Sequence, residues 1–411
     1  MRIGLIGSGH DLGRTGGLQV HVRDLVAALL RHAPPAYRFV LLTHPDDPAP
    51  DLPPGDRVSA VPLRWPRDRP EAPWARRFRR ALGAVAPGLA PRGPLSAQID
   101  ALGLDVVHCP TTRAEDLDLR TPLVLTFFDM QEEFLPQFFS LRERLGRRAA
   151  HRLSVARARL VIAPSAFTAR CLTVRYRTPE SKLRVVPAGT GAAFSPHAAP
   201  DEDSRLRGRY ASLPQAPFAF YPANPWPHKN HPRLLRALAL VRERSGEAIP
   251  LVCTGRLSGE ARAVGEMARA AGLPDEQVTD LGFVDAEDLP ALYRRARLLV
   301  FPSLFEGFGL PVLEALASGC PVACSDTTSL PELGGDAVRY FDPRSEASMA
   351  GALQELWSDP AKRAQLSQRG LERATSFGWE RIVPEITAVY EAAVRSSTPF
   401  SHRPPTLSLP T

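Results

Sequence analysis

Two carboxylates, Glu306 and Glu314, flank a Gly-Phe-Gly turn and a proline in the stretch Phe301-Pro302-Ser303-Leu304-Phe305-Glu306-Gly307-Phe308-Gly309-Leu310-Pro311-Val312-Leu313-Glu314-Ala315. Seven residues separate them. The apolar run 298–301 predicts a buried strand, 306–310 a glycine-rich turn, and Pro311 the first residue of a helix that Gly319 ends. The unbonded N–H groups at a helix start, joined by those of a glycine loop, make a ready site for phosphate oxygens. Gly307 and Gly309 let backbone approach a ligand closely. An acid at either flank accepts hydrogen bonds from sugar hydroxyls. Taken singly, Glu314 would only complement the helix dipole and Glu306 would be solvated. With the turn and the proline between them, the pair predicts a ligand site.

The elements that must carry these groups alternate strand and helix twice over. Strands are predicted at 2–7, 37–43, 105–109, 123–129, 160–164 and 183–187, then at 218–222, 251–255, 278–284, 298–301, 321–325 and 338–341. Such alternation demands parallel sheets with helices on both faces, so the fold class is α/β with two doubly wound, Rossmann-like domains. The boundaries fall at 1–190 and 191–378, around a proline-rich linker at 189–215. An amphipathic helix at 379–395 and a Pro/Ser-rich tail at 396–411, of disordered composition, follow. The first helix, 18–31, turns Val22, Leu25, Val26 and Leu29 inward. Ser165 and Asp285 read as N-caps, the latter of a helix at 286–296.

Composition narrows the class. The chain has 411 residues, 44% hydrophobic and 23% charged, which suits a soluble globular protein with a core in each domain. No run reaches the ~20 apolar residues of a membrane span. Cys109, Cys171, Cys253, Cys320 and Cys324 sit in or beside apolar runs without metal-ligand spacing, which predicts buried thiols and a cytoplasmic setting. The net charge of +7 fits anionic substrates or a membrane surface. The segment 44–94, rich in Pro and Arg, reads as an excursion from the core. Inside it, 73–86 is a basic amphipathic helix with Trp74, Phe78, Leu82 and Val85 on one face; it either docks on its own domain or makes a peripheral contact at the inner membrane face. The Arg-rich stretch carries no nucleic-acid reading motif.

Lysine is scarce here, with three in the chain, so Lys229 at the strand-to-helix turn of Asn224-Pro225-Trp226-Pro227-His228-Lys229-Asn230-His231-Pro232 stands out. Asp129 stands at the end of a predicted strand. Asp116-Leu117-Asp118 has D-x-D form but follows no apolar strand and reads as surface. The Ser8–Gly17 loop misses the G-x-G-x-x-G spacing of a dinucleotide site.

The Glu, seven residues, Glu motif resembles that of the retaining, nucleotide-sugar-dependent glycosyltransferases of group 1, which have the GT-B architecture of two Rossmann-like domains facing across a cleft. The likeness continues through Ala317-Ser318-Gly319-Cys320-Pro321-Val322, Ser329-Leu330-Pro331-Glu332 and Gly335-Asp336-Ala337. It implies a hexosyltransferase of cell-surface polysaccharide or glycolipid synthesis, with a nucleoside-diphosphate sugar as donor, a glycan or lipid-linked acceptor, no cofactor and no metal. It implies acceptor binding in the first domain, donor binding in the second, and a last helix that crosses back onto the first. By the same resemblance Lys229 neutralises the donor diphosphate and Glu306 contacts the transferred sugar, with His108 beside it, and Asp129 is a candidate for binding acceptor hydroxyls. Phe308, Gly309 and Leu310 then bind phosphate or sugar oxygens through their amides and Glu314 binds the ribose. Gly16 and Gly17 lie near the donor phosphates, and the backbone of Phe283 and Val284 meets the base. Two departures are visible: Phe128 stands where the family has a histidine before Asp129, and His228 where it has an arginine, so that Arg256 is the candidate second cation. The rival readings are a nucleotide-sugar epimerase on a similar frame and a nucleotide- or glycan-binding protein that has lost catalysis.

Overall fold

The computed structural model describes residues 1–6, 16–45, 56–64, 93–114, 117–255 and 263–396, with side chains in the first helix from His21 onward. Short runs such as Leu-Val-Leu-Thr (Leu123–Thr126) and Leu-Val-Ile-Ala (Leu160–Ala163) are buried at every position, as strands of a parallel sheet covered on both faces must be. The seven strands of the first sheet lie in the order Val58–Pro62, Arg38–Thr43, Arg2–Ile6, Val106–Cys109, Leu123–Thr126, Leu160–Ala163 and Leu183–Val185. The second sheet has six, in the order Val278–Asp280, Leu251–Thr254, Ala219–Pro222, Leu298–Phe301, Val322–Ser325 and Arg339–Phe341. All pairings are parallel. Each sheet winds outward in both directions from its earliest strand, which leaves a crevice at the carboxyl ends of the two central strands.

That topology decides which residues meet. Ala219–Pro222 and Leu298–Phe301 are the neighbours at the second switch point, in register Leu298 with Ala219 and Leu299 with Phe220. The Lys229 turn follows one and the Glu306 turn follows the other. In the first sheet the matching neighbours are Arg2–Ile6 and Val106–Cys109, paired Leu5 with His108.

Packing ties the ends of the chain together. Helix Trp379–Arg395 buries Ile382, Val383, Ile386, Val389, Tyr390 and Ala393 among Ile3, Leu5, Leu25, Phe39, Val106 and Val124 on one face of the first sheet. On the other face Leu304 and Phe305, contributed by the second sheet's loop, enter the core built on Val107, Leu125 and Phe127. Phe194, Leu213 and, from helix Glu202–Arg209, Leu206 pack from the connecting segment into the second core.

Three sequence expectations are corrected. The excursion at 44–94 contains an edge strand, Val58–Pro62, whose half-exposed alternation and terminal proline suit a sheet margin and hide it in a proline-rich context. The strand predicted at 278–284 stops at Asp280, because the Asp280 carboxylate accepts from the Gly282 amide and Gly282 takes φ 65°. The helix predicted to start after Asp285 starts at Leu289. Pro290 sits in its first turn, where a missing N–H costs nothing, and the Asp288 carboxylate is held by Arg205, Arg209 and Tyr210 rather than by the helix end. The basic helix at 73–86, Asp116 and the tail beyond Ser396 lie outside the described residues.

Tyr390 is fully buried and its hydroxyl lies 2.7 Å from His108 Nδ1. Tyr390→Phe removes that partner and keeps the ring, so the unfolding free energy falls by about 1–3 kcal/mol, read from urea unfolding. An unchanged midpoint would show that the bond contributes nothing to holding the last helix.

Candidate functional site

Lys229 is fixed from its backbone outward. A 3-10 turn, Pro227–Lys229, ends in Asn230 at φ 65°, a left-handed conformation that asparagine tolerates better than most residues. Asn230 Nδ2 donates to the carbonyls of Pro302 at 3.0 Å and Pro343 at 2.8 Å, and the Tyr221 hydroxyl donates to the Lys229 carbonyl. From this mount the ammonium Nζ reaches Glu306 Oε1 at 2.5 Å and sits 5.2 Å from the Phe301 ring centroid. Both side chains of the pair are 14% exposed, so the bond is largely shielded from water.

The turn after Glu306 is held from outside. Thr328 Oγ1 accepts from the Glu306 amide at 3.2 Å, and Ser329 Oγ lies 3.0 Å from the carbonyls of both Glu306 and Phe308. Gly309 takes φ 108° as the N-cap of helix Leu310–Ala317, and a Cβ there would come within 2.6 Å of Leu330. The amides of Phe308, Gly309 and Leu310 donate to no protein acceptor among the described residues. They stand at a helix start, where partial positive charge gathers.

Glu314 lies in the first turns of the same helix and accepts from the fully buried Tyr293 hydroxyl at 2.7 Å. Burial pushes its carboxyl up to about 7; the Tyr293 bond opposes this and Asp24, from the first domain, adds to it. Asp24 is itself raised by burial, against the pull of Arg23 at 3.6 Å. Asp129 is raised too, by burial first and then by the Glu132 and Glu306 carboxylates, with His151 opposing. Glu306, Lys229 and Asp129 therefore share one electrostatic neighbourhood, with Glu314 a helix turn or two away from the amides it flanks.

His108 is corrected from a sugar contact to a structural residue. It is 1% exposed, with Nδ1 at Tyr390 and Nε2 2.8 Å from Thr126 Oγ1, which leaves neither nitrogen for a ligand. His228 cannot serve as the second cation. Burial, with the charges of Lys229 and Arg147 nearby, depresses it to about 2, so its imidazole is neutral at physiological pH. Arg256 lies outside the described residues. Gly16 and Gly17 open helix Gly16–His32, which carries Asp24. Phe283 is 51% exposed beside the buried Val284, after Gly282, whose carbonyl accepts from the Gly255 amide at 2.8 Å.

Sequence reasoning missed Tyr293, Asp24, Thr328 and the roles of Ser165 and Thr168. Of these only Ser165 carried a signal, as an N-cap, and the structure keeps that role while adding a second one across the cleft.

The two facing parallel sheets, with the Lys229–Glu306 pair and the unbonded amides at the second switch point, define a GT-B architecture. Comparison with known proteins agrees along the chain. The model described as Glycosyl transferases group 1 matches residues 204–373, and that described as Glycosyltransferase Family 4 matches residues 15–194. O-antigen chain mannosyltransferase B of Escherichia coli is 30% identical over 65% of this chain and 70% of its own length. MMP alpha-(1->4)-mannosyltransferase of Mycolicibacterium hassiacum is 29% identical over 72% of this chain and 67% of its own. The Anabaena HepE structure in complex with UDP and glucose superposes with a TM-score of 0.69 at 20% identity, covering 95% of this chain and 100% of that one. The chain belongs to the group 1 glycosyltransferases.

Glu314 supplies a stability test. Its folded value, about 7, lies above the ordinary glutamate value of 4.5, so the native state holds a proton that the unfolded chain releases once pH passes the lower value. Its contribution is complete below that value, declines as pH rises through about 7 and is level above. Glu314→Gln should therefore be relatively more stable than the parent at pH 8 than at pH 5, as read from urea midpoints. A difference independent of pH would refute the raised value.

Proposed function

We propose that the chain is a retaining hexosyltransferase that works without a metal and moves a hexose from a nucleoside-diphosphate sugar to a glycan or lipid-linked acceptor in cell-surface polysaccharide or glycolipid synthesis. The observation that carries this reading is the Lys229–Glu306 pair lying at the mouth of a turn whose Phe308, Gly309 and Leu310 amides have no acceptor among the described residues. A departing diphosphate needs its growing negative charge stabilised, and an ammonium with aligned amides at a helix start supplies that.

Each residue then has a task. Lys229 turns from Glu306 to the diphosphate when the donor binds. The amides of Phe308, Gly309 and Leu310 take phosphate or sugar oxygens, Glu306 accepts from sugar hydroxyls, and Glu314 accepts from the ribose. Asp129, in the loop that follows the first domain's strand Leu123–Thr126, holds an acceptor hydroxyl. Gly16 and Gly17 allow the donor phosphates close to the first helix, and the backbone at Phe283 and Val284 meets the base. Both relatives named above are mannosyltransferases, which favours mannose as the hexose. No helix among the described residues is long and apolar enough to cross a membrane.

The test is thermal stabilisation of the purified protein by UDP, GDP, ADP, TDP and their sugars, followed by turnover with the donor that binds. One nucleotide should raise the melting temperature, and Lys229→Ala should abolish that shift. Glu306→Gln should keep the shift but lower transfer by a factor on the order of a hundred. Near-parental turnover in both variants would sink the assignment; donor binding with no consumption across a broad acceptor panel would favour the binding-protein reading.

A further inference from the structure

The Ser329-Leu330-Pro331-Glu332 motif reaches beyond its own domain. The Glu332 carboxylate accepts from the Ala166 amide at 2.6 Å and the Phe167 amide at 3.1 Å, the first N–H groups of helix Ala166–Tyr176. A carboxylate satisfying two such donors is an N-terminal cap, supplied here across the cleft. The same helix start returns the contact. Ser165 Oγ and Thr168 Oγ1 donate to the Gly307 carbonyl at 2.8 and 2.9 Å, and both residues are 2% exposed. Phe305 stacks on Phe134 at 5.0 Å and lies 5.8 Å from Phe167. A Cβ on Gly307 would fall 1.5 Å from the Phe128 carbonyl oxygen, so only glycine permits this approach of the two domains.

The consequence lies in one peptide plane. In a trans peptide the carbonyl of one residue and the N–H of the next point in opposite directions. Holding the Gly307 carbonyl toward the first domain therefore aims the Phe308 N–H away from it, into the turn whose amides await an anion. Resting on the donor-site reading above, we propose that Ser165, Thr168 and Glu332 are positioning residues that couple closure of the cleft to the orientation of the 307–308 peptide. When the domains part, the helix start keeps its Ser165 cap but loses the Glu332 carboxylate, and the Gly307 carbonyl loses both donors together. The peptide is then free to rotate and the Phe308 amide no longer faces the diphosphate. The donor site is complete only in the closed form.

The full-length protein tests this with Glu332→Gln and with Ser165→Ala combined with Thr168→Val. Two readouts apply: steady-state kinetics with the donor found by thermal stabilisation, and the radius of gyration from small-angle scattering. In both variants kcat should fall about tenfold or more, the donor KM should rise, and the ligand-free radius of gyration should rise. A merely structural role would lower the melting temperature and leave kcat of the folded protein unchanged. Parental kcat together with an unaltered radius of gyration in Glu332→Gln, which removes one capping bond and keeps the residue's size, would overturn the proposal even if the double variant fails to fold. Should the parent protein turn over no donor at all, the transferase reading fails, and the scattering comparison alone then decides whether the latch exists.

Discussion

The contact on which the site depends is the bond between Lys229 and Glu306, an ion pair largely withdrawn from water. Neither charge is tolerable alone in such a place. Removing one partner of a well-buried pair typically costs about 3–5 kcal/mol, and less where water retains some access, as here. The pair exists because the sheet winds outward from its first strand. That winding makes the turns after Ala219–Pro222 and Leu298–Phe301 neighbours although their residues are 77 positions apart. The fixtures around it keep the two turns facing: Asn230 bridging to Pro302 and Pro343, Tyr221 beneath Lys229, Thr328 accepting from the Glu306 amide and Ser329 at the carbonyls of the second turn.

Around that pair the described residues bring further carboxylates. Asp129 and Glu314 are both raised by burial, and each feels a further carboxylate from the opposite domain, Glu306 in one case and Asp24 in the other. Closure therefore brings like charges together across the cleft, and that repulsion adds to burial in raising both carboxyls. The contacts that pull the domains together are of another kind: stacked rings at Phe305, a capped helix end at Glu332 and two buried hydroxyls on Gly307. Attraction lies beside the cleft and repulsion within it, which leaves the interior receptive to hydroxyl groups.

The parts legible in sequence were those with local causes. Apolar runs gave the strands, Pro311 the start of the helix to within a residue, and the scarcity of lysine drew attention to Lys229. The parts that were not legible depend on partners far along the chain. His108 is a structural histidine because Tyr390, 282 residues later, occupies Nδ1. A strand-end histidine looks the same in sequence whether its partner is a sugar or a tyrosine. Val58–Pro62 was hidden because an edge strand needs little hydrophobic signal when one neighbour already supplies its ladder. Glu332 was noticed as part of a motif, but its role could not be read because its partners are backbone amides, which every residue has.

Glycine at 307 shows how such hidden constraints can still mark a sequence. Two readings of that residue are available from spacing alone, close approach of a ligand and close approach of protein backbone. The structure satisfies the second, with the Phe128 carbonyl where a Cβ would be, and leaves the unbonded amides one residue further on. Position 128 therefore contributes its main chain to closure whatever its side chain is. The departure from histidine there leaves the domain contact intact, while the Phe128 ring packs edge-on against His21 at 5.2 Å. What the substitution alters is the polarity of the first domain's wall, and that is the side on which the proposed reading places the acceptor.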